Sequence, residues 1–358
     1  MQESYSQLIQ QALDTHIISG KAFSELWTEE LKNTLQEHVD VVGTRPQLYI
    51  IQVEGNPASN VYVRNKLKLA RQIGIDVVHV LITPEQFNDY LHTELNIANP
   101  ESQRSIDYLY FFIRNRLQEV INKNPTGIIV QLPINFEYFG FTKESLESSG
   151  WTPQSFERRI INKIPCHMDV DGLTDICQGQ MTTGDFYFHG DNFLPATPSG
   201  IIKLLTQNGD ESFLNRLGIN NPNVCIIGRS NLLGKPLALM MMDKNGPISG
   251  ATVTVCHSRT PQAVLDQHIS NADIVVCCAG CPDHYIVHAG NVKPGAIVID
   301  AAINVRIDEH GKRKLYGDAD FENILDKVSL ITPVPGGVGP MTVFMLMENV
   351  VNRWIFDL

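Results

Sequence analysis

Ser59, Tyr62 and Lys66 are separated by three and four residues, which on a helix places all three on one face. A lysine beside a tyrosine serves as a proton-transfer group when burial lowers its pKa. By spacing alone, the same pair also fits the surface of an amphipathic helix. Two other segments carry groups that suit this chemistry. Val130-Gln131-Leu132-Pro133 closes an apolar run, so Gln131 is expected at the C-terminal edge of a buried strand, where α/β proteins bind ligands. Asp169-Val170-Asp171-Gly172 offers two carboxylates on a turn. An aspartate there can grip a nitrogen heterocycle with adjacent N–H donors. No further acids follow at EF-hand spacing, which argues against a metal loop.

A second set of residues points to a nucleotide. The run Val224 to Gly228, followed by Arg229, Ser230 and, later, Gly234, lacks the G-x-G-x-x-G fingerprint. It keeps the physical requirement, a tight turn after a strand and then a helix start whose free N–H groups face an anion. An ordinary strand-to-helix turn reads the same way. The next strand ends Cys256-His257-Ser258-Arg259-Thr260, without the carboxylate that holds the ribose 2′-hydroxyl in NAD sites. A site with Arg229 and Ser258 and no acid favours NADP over NAD. Arg259 is better explained as a solvated surface residue, and His257 as lining the site. Tyr62 and Lys66 also match the Tyr-x-x-x-Lys pair of short-chain dehydrogenases. There the pair follows the glycine-rich turn, whereas here it precedes it. Cys278-Ala-Gly-Cys281 has C-x-x-C spacing but no second pair, so Cys277 and Cys278 read as buried strand residues and no metal site is expected.

The elements that must position these groups alternate. Gly20 to Val39 has apolar residues at helical spacing, and Gln47 to Val53 is a β-branched and aromatic run. Asn56 and Pro57 suit an N-cap and first helical position, and Gly74 suits a stop, so a helix is predicted to about Ile73 with Val63, Leu67 and Ala70 inward. Strands are expected at Asp76 to Ile82 and Gly127 to Leu132. The stretches 83–124 and 136–163 read as elaborations. Later, Val224 to Gly228, Ala251 to Cys256, Ile274 to Cys278 and Ala296 to Asp300 read as strands. Leu232 to Met242 and Pro261 to Gln267 read as helices between them. Strand alternating with helix predicts a doubly wound parallel sheet of Rossmann type. Met341 to Trp354 reads as a closing apolar helix.

The chain has 358 residues, enough for two domains at about 100–200 residues each. Its formal net charge of −11 disfavours nucleic acid as a partner, because phosphate binding needs a basic face. No apolar run reaches the length of a membrane span, and the N-terminus lacks the order of a signal peptide. Seven cysteines, an odd number, fit a reducing cytoplasm.

Eight segments in order closely resemble the bifunctional methylenetetrahydrofolate dehydrogenase/methenyltetrahydrofolate cyclohydrolase family. They are Pro57 to Lys66, Val130 to Pro133, Asp169 to Leu173, Thr197 to Gly200, Gly228 to Ser230, Cys256 to Ser258, Gly317-Asp318 and Pro333 to Thr342, the last being highly specific. The resemblance implies an α/β fold of two domains. Residues 1–180 would form a folate-binding catalytic domain, 181–337 an NADP-binding Rossmann domain, and 338–358 would return to the first, with the active-site cleft between the two. Lys66 would be the general acid/base of the cyclohydrolase step, and Tyr62 would stack on the folate. Gln131 would hydrogen-bond Lys66, Asp171 would anchor the pterin, and Ser59 would complete the polar cluster. Val130 and Leu132, with Pro335, Gly336, Gly337, Val338 and Gly339, would line the substrate. Gly228, Arg229, Ser230, Ser258 and Ile303 would hold NADP. The implied partners are tetrahydrofolate derivatives and a second copy in a homodimer, within one-carbon metabolism.

The chain departs from the family's pattern at Ala196 (usually Cys), Ala302 (usually Gly), Asn135 (usually Pro) and Met168 (usually Lys). An added methyl at 302 would crowd the cofactor. Three readings therefore stand at this stage: a bifunctional enzyme, a dehydrogenase with lost or weak hydrolysis, and a folate- or nucleotide-binding relative without turnover.

Overall fold

A computed structural model describes residues 2–97, 104–184, 192–206, 212–246, 248, 250–307, 311 and 313–358. The first half runs through helices α1 (Gln2–Thr15) and α2 (Gly20–Val42), strand β1 (Gln47–Val53), α3 (Pro57–Ile73), β2 (Asp76–Ile82), α4 (Pro84–Thr93), α5 (Ile106–Ile121) and β3 (Gly127–Gln131). Short helices α6 (Lys143–Ser148), α7 (Pro153–Ile161), α8 (Asp175–Thr182), α9 (Ala196–Thr206) and α10 (Phe213–Arg216) lead to the second sheet. That half contains β4 (Asn223–Ile227), α11 (Gly234–Met242), β5 (Thr252–Cys256), α12 (Gln262–Asn271), β6 (Ile274–Cys277), β7 (Ile297–Asp300), β8 (Asn304–Ile307), β9 (Arg313–Tyr316), α13 (Phe321–Ile324), β10 (Leu330–Ile331) and α14 (Val338–Phe356). Among the described residues, no helix is long and apolar enough to cross a membrane.

Packing divides the chain into two compact units, one of residues 31–177, 188–193 and 347–358, the other of 1–30, 178–187 and 194–346. The sequence reading put 1–180 together. The difference at the N-terminus comes from backbone pairing that sequence does not reveal: Ile331 N–H donates to His16 O, and Ile18 N–H donates to Ile331 O at 2.9 Å. Phe23 also packs edge-on against Phe213, and Trp27 against Phe344.

The first unit holds a parallel sheet in the order β2-β1-β3. β1 is buried from Leu48 to Val53, as befits a central strand covered on both faces. Alternation sorts its side chains. Tyr49, Ile51 and Val53 join an aromatic cluster with Phe87, Phe112, Phe139 and Phe156, so Gln52 points to the opposite side, where α3 lies. The stretch 83–124 is not an elaboration. It supplies α4 and α5, and carries the chain from β2 across β1 to β3, a crossover that parallel strands require. Residues 136–163 likewise give Phe136, Trp151 and Phe156 to the same core. α3 has the predicted ends: Asn56 Oδ1 accepts the Ser59 N–H at 3.3 Å, and Gly74, at φ 105°, closes it.

The second unit holds a parallel sheet ordered β10-β7-β6-β4-β5, with a β8-β9 hairpin that sequence patterning missed. Register sets Cys256, Ile227, Cys277 and Asp300 in one row at its C-terminal edge. Cys278 falls just past β6 and is only partly buried, correcting its expected place inside the strand. Two buried acids tie down the loops beyond that row. Asp300 accepts from Ala302 N at 3.1 Å and Ala319 N at 2.8 Å. Asp318 accepts from Ala279, Gly280 and Cys281 N–H groups and from Asn304 Nδ2. Burial pushes the Asp300 carboxyl up to about 7. Gly317 is glycine because a Cβ there would overlap the Asp300 carboxylate. Gly317→Ala is expected to cost about 2–3 kcal/mol by overpacking, checked by chemical denaturation against the unaltered protein; an unchanged midpoint would contradict this packing.

Candidate active site

In the first unit, Lys66 lies on the inward face of α3 at 7% exposure, and Gln131, at the end of β3, is 8% exposed. Lys66 Nζ donates to Gln131 Oε1 at 3.0 Å. Gln131 Nε2 donates to Leu132 O at 2.7 Å, which fixes the amide with its oxygen toward the lysine. Burial lowers the Lys66 pKa, opposed by the Asp171 charge; burial raises that of Asp171, opposed by Lys66. Burial thus draws each group toward its neutral form, which brings the pair closer to exchanging a proton. Tyr62, also raised by burial, stays a neutral phenol. Ser59 is 2% exposed and its hydroxyl has no hydrogen-bond partner among the described residues. A buried polar atom without a partner is rare in folded proteins and marks a place where a ligand can supply one.

The two carboxylates of the 169–171 turn separate. Asp169 is 1% exposed, accepts the Thr174 N–H at 2.7 Å, and is pushed up to about 6 by desolvation. It builds the turn. Asp171 is the carboxylate the turn presents. Residue 170 is anchored in turn by Asn349 of α14, whose Nδ2 donates to Val170 O at 2.8 Å. Val130 does not join the polar cluster: its side chain lies in the aromatic core, against which Leu132 also packs, one strand position and one face away from Gln131. Asn135 ties two loops, donating to Gly55 O at 2.7 Å, and Met168 is buried in the aromatic core.

The second unit carries the other candidates. Pro335 to Gly339 follow a cis Val334–Pro335 bond. Gly336 has φ 108°, and a Cβ on Gly337 would meet Pro333 O and Thr332 Cβ at 2.7 Å, so these positions admit only glycine. At the sheet's C-terminal edge, Gly228 has φ 140°, and a Cβ there would lie 2.5 Å from Cys278 Sγ. Arg229 and Ser230 follow it, exposed, and the Ser230 hydroxyl accepts the Leu233 N–H at 3.1 Å. Because Ile227 pairs with Cys256, Arg229 and Ser258 leave adjacent strand ends two residues later. His257 Nδ1 accepts the Arg259 N–H, so that ring shapes the turn. Ile303 is 47% exposed, whereas Ala302 is buried. Sequence reasoning assigned no role to Asp300 or to Asp318. The signal was an acid at the end of an apolar strand and another just after a glycine.

Residues 18–105 match the family model described as tetrahydrofolate dehydrogenase/cyclohydrolase, catalytic domain, and residues 195–356 match its NAD(P)-binding domain. The bifunctional protein FolD of Rickettsia bellii is 34% identical over 95% of this chain and 98% of its own length. This chain belongs to the tetrahydrofolate dehydrogenase/cyclohydrolase family. A FolD crystal structure from Campylobacter jejuni is 32% identical with a TM-score of 0.68, covering 96% of this chain and 99% of that one. A Trypanosoma brucei FolD structure, complexed with NADP cofactor and inhibitor, is 26% identical with a TM-score of 0.69, covering 95% and 97%. Two-domain α/β architecture with a Rossmann-type parallel sheet is thus shared with this family.

The two acids of the 169–171 turn can be told apart by stability. Asp169→Ala leaves the Thr174 N–H buried without a partner and should cost about 1–3 kcal/mol. Asp171→Ala, which removes no backbone cap among the described residues, should cost less. Paired denaturation curves decide; equal losses would mean that both acids are structural.

Proposed function

We propose that this chain oxidises 5,10-methylenetetrahydrofolate to the 5,10-methenyl form with NADP⁺ and then hydrolyses that product to 10-formyltetrahydrofolate. The observation that carries the reading is the buried Lys66–Gln131 pair beside Asp171 and the orphan Ser59 hydroxyl. Tyr62 offers a neutral ring for stacking on the pterin, and Asp171 an acceptor for its N–H groups. NADP⁺, when bound, supplies the hydride acceptor. The dehydrogenase step needs alignment of two bound molecules more than proton transfer. The hydrolytic step differs. The methenyl carbon shares its positive charge with two nitrogens, so water attacks it, and that water must lose a proton. Lys66, whose pKa burial lowers, takes the proton at Nζ when neutral and returns it to the departing ring nitrogen, while Gln131 Oε1 keeps the amine aimed. The residues at the second sheet's edge fit NADP. Arg229 is exposed with no ion pair among the described residues, Ser258 stands on the neighbouring strand end, and β5 ends without a carboxylate. Gly228, Ser230 and Ile303 would line the rest of the cofactor, and Pro335 to Gly339 the substrate. The protein is expected to work in the cytoplasm as a homodimer.

Lys66→Met should lower hydrolysis at least a hundredfold, the scale of general acid–base catalysis, while methylene-dependent NADP⁺ reduction continues and methenyl product accumulates. Full hydrolysis in a folded variant would sink the assignment. Arg229→Ala should raise KM for NADP⁺ about ten- to a hundredfold, the worth of a hydrogen bond to a charged group, and leave that for NAD⁺ nearly unchanged. Equal effects on both would remove Arg229 from the 2′-phosphate.

A further inference from the structure

Helix α3 has a second chemical face. At about 100° per residue, Ser59, Tyr62 and Lys66 fall within an arc of about 60°. Arg64, Lys68 and Arg71 fall within a similar arc on the opposite side, four and three residues apart. None of these three cations has an ion pair or hydrogen bond among the described residues, and all three are exposed. They line a groove with a volume of about 610 Å³, walled by α3 and the edge strand β2, which lies within the range of small-ligand sites. The remaining lining is ordered and mixed. Val63 and Leu67 give an apolar strip. Gln52, 1% exposed, donates through Nε2 to Asn60 Oδ1 at 2.6 Å. Its Oε1 lies 3.0 Å from His79 Nε2 and accepts from it. Partial burial lowers the His79 pKa, and its imidazole enters the lining through its hydrogen bond to Gln52.

Like charges one helical turn apart repel each other. Here three of them stand together in a chain whose formal net charge is −11, and no acid among the described residues pairs with them. Seven residues of helix separate the first from the last, a rise of about 10 Å. We propose that this groove binds a linear polyanion, with at least three negative charges spread over about 10 Å, at a site distinct from the Lys66 face. Its anionic groups pair with Arg64, Lys68 and Arg71 in turn. Its backbone covers Val63 and Leu67, and Asn60 and His79 complete the polar floor.

The test is calorimetric titration of the full chain at low ionic strength with inorganic tetraphosphate and, separately, butane-1,2,3,4-tetracarboxylate. It is run on the unaltered protein, on Arg64→Gln/Lys68→Gln/Arg71→Gln, on Arg229→Gln, and on Lys314→Gln as a surface control. The triple variant should bind at least tenfold more weakly, while Lys314→Gln binds as the unaltered protein does. Affinity should fall steeply with added salt. The stronger of the two probes identifies the anion as phosphate- or carboxylate-bearing. All three substituted side chains are exposed, so circular dichroism and the thermal midpoint of the triple variant should be unchanged. No binding of either probe, equal affinity in the triple variant, or a loss that follows Arg229 instead would each overturn the proposal.

Discussion

The structure of the first unit turns on taking one ammonium group out of water. Lys66 is nearly fully buried, and burying a charge costs far more than burying a neutral amine. The cost is not cancelled by a tight ion pair. The partner at 3.0 Å is a neutral amide, Gln131, and the carboxylate of Asp171 acts through its field, which is outweighed by desolvation. A lysine bound directly to a carboxylate would be locked as a cation. A lysine bound to an amide, with a carboxylate in the background, can hold either form. That balance is what makes the site suited to moving a proton.

Holding the amine and amide together is a matter of sheet geometry. Gln131 stands one position beyond Val130, so the pleat sends Val130 into the aromatic cluster and Gln131 to the α3 side. Register pairs Gln52 of β1 with Gln131 of β3, which puts two amides on the same face of adjacent strands. Gln52 serves the outer face of α3 through Asn60, and Gln131 the inner face through Lys66. A slip of one residue in β3 would exchange Val130 and Gln131 and bury the amide among phenylalanines. The second unit solves a related problem differently. There the C-terminal edge is shaped by buried carboxylates, Asp300 and Asp318, that accept backbone N–H groups from the loops beyond β6, β7 and β9.

Much of this was legible in the sequence where the signal is local. Asn56, Pro57 and Gly74 marked the ends of α3, and the spacing of Ser59, Tyr62 and Lys66 marked its polar face. The alternation of strand and helix after Val224 gave the Rossmann-type sheet. What escaped was non-local or chemically ambiguous. Nothing in Asp169-Val170-Asp171 says which acid folds back to cap Thr174 and which is presented. α5 was hidden by polar residues on its outer face, although Leu109, Phe112, Ile113 and Leu117 are buried at helical spacing. β10, two residues long, leaves no pattern at all, and the pairing of Ile331 with the His16–Ile18 segment depends on a contact across most of the chain.

The most direct measurement is the titration of the Lys66 amine itself. Protein carrying ¹³C at lysine Cε would be followed by NMR across pH, with the Lys66 signal assigned by its loss in Lys66→Met. The account predicts a pKa below the ordinary lysine value of 10.5, set apart from the exposed lysines. A value at or above 10.5 would mean that the Asp171 charge outweighs burial, leaving Lys66 a fixed cation and removing the proton-transfer role on which the proposed hydrolysis rests.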